Sequence, residues 1–184
     1  MTDIEQLLHD VAAKAPLALP FEGSSLRAPA TAEEVARAEA ALGFTLPPLL
    51  VSLYTRVADG GFGPEGGLFP LLDDTGRGPS AVSSYLARRS DGQAEDGWDW
   101  PEGVLPIVDW GCYMLACVDC RDGDAAVLLF EPNAAIPEFA WYVDAPGFAG
   151  WLRAWLDGSA WYCNAGDEEE EMAPWPHYAA RTGR

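Results

Sequence analysis

The chain has 184 residues, 29 acidic side chains against 11 basic ones, and a formal charge of −18, with 49% apolar residues. A surface that negative repels nucleic acid and anionic membrane and attracts basic partners, so both of the former are excluded as ligands. The apolar share rules out a disordered acidic tail, and the length predicts one domain over residues 1–184.

Thr2 and Glu5 have capping-box spacing, and Ile4, Leu7, Leu8 and Val11 recur at helical intervals. A helix is expected over 2–15, ended by Pro16 and packed peripherally. Residues 16–30, with three prolines and Gly23, read as a wrapping loop. Thr31 and Glu34 open a second helix whose stripe is Val35, Ala38 and Leu42, with Gly43 as its stop. Pro47 and Pro48 suit the first turn of a third helix, which buries Leu50, Leu53 and Tyr54 before Gly60–Gly61.

The segment 66–74 is a short apolar strand or buried rung. Ser80 to Arg89 reads as a brief helix. Residues 90–103 form a glycine-broken acidic loop with two tryptophans.

Strands follow. Val104–Val108 is interrupted by Pro106, which places it at an edge or an end. Cys112–Cys120 and Ala125–Glu131 are expected to pair antiparallel across the turn Arg121–Asp124. Phe139–Val143 is a fourth strand. Phe148, Trp151, Leu152 and Trp155 then mark a helix stopped by Gly158, and an acidic tail covers 159–184. Helices before and after an antiparallel meander give an α+β fold, with helices packed against one face of the sheet.

The segment TAEEVARAEAALGFTLPPLLVSLYTRVADGG, from Thr31 to Gly61, resembles the opening signature of the SMI1/KNR4 (SUKH) superfamily. Leu42, Gly43, Leu46, Pro47, Leu50, Tyr54, Gly60 and Gly61 carry the likeness. The stretch VLPIVDWGCYMLACVD, the hairpin to AVLLFE and the helix FAGWLRAWLDG follow in the family's order, so the resemblance spans about residues 31–157. It implies an SMI1/KNR4-like α+β fold and a protein-binding role. Bacterial members are mostly immunity proteins that neutralise polymorphic toxins, and others are regulatory or scaffold proteins. It supplies no catalytic residues.

Nothing in the sequence argues strongly for chemistry. GxSxG, HExxH and Walker motifs are absent, and the two histidines, His9 and His177, lack a nucleophile nearby in sequence. Cys117 and Cys120 have half a metal-site spacing, with Cys112 and Cys163 available to complete it. Three residues apart on a strand, however, places them on opposite faces. Four cysteines without a signal-like leader read as reduced thiols in a cytoplasmic protein. No cofactor, metal or disulfide is expected.

The candidate partner-binding residues are Asp91, Glu95, Asp96, Trp98, Asp99, Trp100 and Glu102. A tryptophan ringed by carboxylates is how a binding hot spot is built, so Trp98 or Trp100 is the expected anchor. The competing reading has one indole folding back onto the sheet. Glu168–Glu171, beside Met172 and Trp175, is a weaker candidate. The expected partner is a toxin domain with a basic surface, such as a nuclease that must bind phosphate. A regulatory scaffold for an endogenous protein is the alternative, and an enzyme is a distant third.

Overall fold

Apolar stripes at helical spacing early in the chain and β-rich runs in its middle set the order of elements. The computed structural model describes residues 2–19, 25–73, 76, 78–91, 99–134, 136–163 and 172–182. The helices are α1 (Asp3–Lys14), α2 (Ala32–Leu42), α3 (Pro48–Arg56), α4 (Ala81–Asp91), α5 (Phe148–Asp157) and α6 (Tyr178–Thr182). The strands are β1 (Val104–Gly111), β2 (Met114–Asp119), β3 (Val127–Phe130) and β4 (Trp141–Ala145). They form an antiparallel meander in the order β1-β2-β3-β4. This is the expected α+β architecture, with the 112–120 and 125–131 segments paired as predicted.

Local chemistry explains the helix ends. Thr31 Oγ1 accepts from Glu34 N at 3.2 Å, and Glu34 Oε2 accepts from Thr31 N at 2.7 Å, a complete capping box. At the other end Gly43 takes φ +79°, the left-handed cap that favours glycine. Thr2 caps α1, but Glu5 does not complete the box there. Its carboxylate pairs with Arg56 of α3 instead.

Two expectations change. Helix α1 is not peripheral: Leu7, Leu8 and Val11 are buried, and Lys14 Nζ donates to the Trp155 carbonyl at 2.5 Å. An amphipathic stripe and one long cation are enough to fasten the helix onto α5. The second change concerns the sheet, which is covered on both faces. Val104–Val108 of β1 and all of β3 are buried without alternation. Phe130 and Trp141 are cross-strand partners on one face, beneath Trp100, Arg88 of α4 and Tyr178 of α6. On β4, Asp144 stands at a register shift, unpaired with β3 and turned toward α5. There Trp151 of α5 donates to it.

Both sheet edges are covered. Pro106 lies in edge strand β1, beside a register shift, as its missing donor requires. Beyond it, Phe69 N donates to the Ile107 carbonyl at 2.7 Å, so the described part of the 66–74 segment is a partly buried rung, bridged at Leu68, rather than a full strand. Gly60 makes this approach possible: a Cβ there would lie 2.5 Å from the Phe69 carbonyl oxygen. At the β4 edge, Val143 N donates to the Ala173 carbonyl and Trp175 N to the Trp141 carbonyl. The tail therefore returns to the sheet and hides its last edge. One buried apolar cluster runs from Leu7 to Tyr178 and includes Leu50, Leu53 and Tyr54.

Candidate protein-binding surface

The acidic loop after α4 has a fixed far end. Trp100 is 3% exposed. Its ring meets Phe130 and Trp141 edge-on, at centroid distances of 5.1 and 4.8 Å. Its Nε1–H donates to the Val104 carbonyl at 2.7 Å, and the Trp100 carbonyl accepts from Arg89 Nη1 at 2.6 Å. A buried, fully hydrogen-bonded indole has no face left for a partner. Trp100 is thus an indole that folds back onto the sheet.

The neighbouring loop residues are pinned from the tail. Tyr178 Oη donates to the Asp99 carbonyl at 3.4 Å, and Arg181 Nη1 to the Glu102 carbonyl at 3.2 Å. Arg181 also grips Asp119, at 2.8 and 3.1 Å to its two oxygens. Asp119 is 2% exposed, so this pair neutralises a carboxylate that burial would otherwise penalise. The Glu102 carboxylate pairs with exposed Arg121. Asp91 ends α4. Glu95, Asp96 and Trp98 lie outside the described residues, as does the run Glu168–Glu171. Trp175 of the tail is buried against Trp141.

A second aromatic group lies on the α5 side and was not anticipated from sequence. Trp110 of β1 meets Trp161 and Tyr162 at 5.4 and 4.6 Å, and the last two meet at 5.5 Å. Trp110 Nε1, Trp161 Nε1 and Tyr162 Oη are all buried without a hydrogen bond of good geometry. Beside them Trp151 Nε1 donates to Asp144 Oδ2 at 2.9 Å. Burial pushes the Asp144 carboxyl above its usual range, against the opposing pull of the Trp151 and Trp161 indoles. Burial, then the Asp144 charge, pushes the Tyr162 phenol up. The legible signal was Asp144 itself, an acid inside the otherwise uncharged strand WYVDA.

The remaining candidates gather no reactive set. Cys117 is buried in β2 with its thiol pushed up by desolvation, Cys120 likewise, and Cys112 and Cys163 are exposed and free. Among the described residues no group of three or more His, Cys, Asp or Glu could hold a metal ion. His9 is exposed on α1 and His177 sits edge-on to Trp175. Asp119 and Asp122 accept from Arg121 N and Ala126 N, the local backbone bonding by which aspartate supports a turn. No described helix is long and apolar enough to cross a membrane.

The architecture is that of an α+β scaffold built to present surface. Residues 29–154 match the SMI1/KNR4 family (SUKH-1), and the protein belongs to that family. Its members are generally non-catalytic protein-binding modules. Helix α1 and the returning tail lie outside the matched span yet are built into the same core. No curated protein matches the chain.

Proposed function

We propose that this protein is a cytoplasmic immunity protein that binds a toxin domain with a basic surface and blocks it stoichiometrically. The observation that carries this reading is a net charge of −18 on a scaffold whose family binds proteins. A toxin that cleaves nucleic acid must attract phosphate, so its active groove is basic. An acidic inhibitor is drawn to that groove and competes for it. Charge raises the rate of encounter, while desolvated aromatic anchors slow dissociation.

The proposed contact surface is residues 91–102, with Trp98 as anchor and Asp91, Glu95, Asp96, Asp99 and Glu102 steering. The fixing of the backbone at 99–102 by Trp100, Tyr178 and Arg181 supports it. A loop held at its base loses less entropy on binding. Burial of Trp100 removes the competing anchor.

Co-expression with the product of a neighbouring toxin gene tests the function. The expected result is loss of toxicity and a stable complex of fixed stoichiometry. Undiminished toxicity, with the protein instead retained on a housekeeping protein of its own cell, would establish the scaffold reading in its place.

A further inference from the structure

Of the six large apolar side chains exposed among the described residues, three lie at one end of the sheet: Tyr113 (79% exposed), Phe139 (59%) and Ile136 (45%). Tyr113 belongs to the two-residue turn between β1 and β2, closed by the pair Gly111 and Met114. Ile136 and Phe139 belong to the connection between β3 and β4. The register of β2 on β3 brings both connections to this end, and Asn133 Nδ2 ties them by donating to the Cys112 carbonyl at 3.3 Å. The longer connection is closed on itself. Phe139 N donates to the Ile136 carbonyl at 3.0 Å, and Glu131 N to the Ala140 carbonyl at 2.8 Å.

The turn holds its tyrosine outward at a conformational cost. Cys112 and Tyr113 take φ +50° and +68°, the left-handed region at both central positions of the tight hairpin. Asparagine and glycine fill these positions most readily, whereas a bulky side chain is strained there. Tyr113 buries little of its ring in return. A single exposed apolar residue needs no explanation, but an aromatic held out by a strained turn beside two further apolar side chains does.

Charge selects what covers them. Asp109 is exposed and Glu131 half-buried at this end, and neither is ion-paired among the described residues. From Ser90 to Leu152 the one lysine or arginine in the sequence is Arg121, in the turn between β2 and β3 at the opposite end of the sheet. Arg88 of α4 lies over the rings of Phe130 and Trp100, so its charge is engaged there. A second copy would bring the same carboxylates and set one charge of −18 against another. An anionic bilayer meets the same repulsion. A protein that presents cations around an apolar side chain is attracted by the rim and buries the centre.

We infer that Tyr113, Ile136 and Phe139 form a docking surface for a basic protein partner, taking an apolar side chain of that partner flanked by arginine or lysine. The two aromatic rings cover the apolar side chain, and Asp109 and Glu131 meet the flanking cations. The inference rests on the reading of this protein as a binder of basic proteins and adds a second contact surface to it. The 91–102 loop leads into β1 at Val104, whereas this surface begins beyond Gly111, at the other end of that strand.

The test uses the whole protein and a peptide probe, acetyl-Arg-Leu-Trp-Leu-Arg-amide, titrated while the backbone amide resonances of 15N-labelled protein are followed. Saturable shifts gathered at 111–114 and 136–140 are expected. Binding should be at least tenfold weaker when glutamine replaces both arginines of the peptide, and likewise when serine replaces its three apolar residues. Tyr113→Ser combined with Phe139→Ser should abolish the shifts while the unfolding midpoint stays at the wild-type value, since both side chains are exposed. Leu86→Ser, which removes an exposed apolar side chain from α4, should leave them intact. Shifts that are absent, spread over the acidic surface, equal with either control peptide, or retained in the double variant overturn the surface. A wild-type dimer in sedimentation that the double variant dissolves would put a second copy there and overturn it too. The probe is independent of any toxin, so failure here leaves the immunity reading standing, and failure of the co-expression test leaves this surface standing.

Discussion

Two aromatic groups pack around one sheet, and they differ in how well their polar atoms are satisfied. Around Trp100, Phe130, Trp141 and Tyr178, the indole N–H of Trp100 and the hydroxyl of Tyr178 reach main-chain carbonyls. Around Trp110, Trp161 and Tyr162, the Trp110 N–H and the Tyr162 hydroxyl are buried without a bond of good geometry, and the Trp161 indole leans on Asp144, a carboxylate that burial has made costly to ionise. The first group is complete and has the character of a core. The second holds its buried polar atoms less well, which costs stability.

The largest effect expected from this contrast is at Trp100. Trp100→Ala should cost about 3–5 kcal/mol in urea unfolding, because it empties the contact between Phe130 and Trp141. A loss under about 1 kcal/mol, coupled to weakened partner binding, would mean that this ring is an interface residue after all. Next is the tail clamp. Arg181→Ala strands the buried Asp119 carboxylate, and about 2 kcal/mol is expected, below the full value for a buried pair because Arg181 is partly exposed. Wild-type stability in this variant would mean that the tail does not hold the loop.

Phenylalanine replacements then compare the two groups directly. Trp100→Phe abandons the Val104 carbonyl and should cost about 1–3 kcal/mol. Trp161→Phe removes an N–H whose contact with Asp144 falls short of good geometry, so the change should stay within about 1 kcal/mol. Equal costs would erase the distinction between the groups.

The smallest effect is a pH dependence at Asp144. Its carboxyl is raised in the folded state, so ionising it costs the folded protein more than the unfolded chain. That penalty is fully present above the folded value. It vanishes below the ordinary carboxylate range, where both states are protonated. Asp144→Asn keeps an oxygen for Trp151 and should therefore stabilise the protein near neutral pH. The gain should disappear as the pH falls through the carboxylate range. A gain that grows on acidification would reverse the assignment.

Much of the fold could be read from the sequence because its signals are local. The Thr31–Glu34 box, the Gly43 stop and the stripe of Phe148, Trp151, Leu152 and Trp155 each operate within a few residues. The tail was illegible for the opposite reason. Trp175 and Tyr178 find Trp141 across more than thirty residues, and no periodicity announces such a contact. The loop aromatics were ambiguous in another way. Sequence identified Trp98 and Trp100 as special but could not say which turns inward, since that depends on Phe130 and Trp141 from two distant strands. Asp144, which β4 brings against Trp151 of α5, was not singled out by the sequence at all.

An acidic binding module that meets a basic partner should associate in a salt-dependent way. Surface plasmon resonance against the cognate toxin domain at several salt concentrations separates encounter from retention. The account predicts an association rate that falls steeply as salt rises, with a dissociation rate that barely changes. Charge reversal at Glu95, Asp96 and Asp99 should slow association and flatten that dependence. An association rate indifferent to salt, or a partner that is itself strongly acidic, would contradict it.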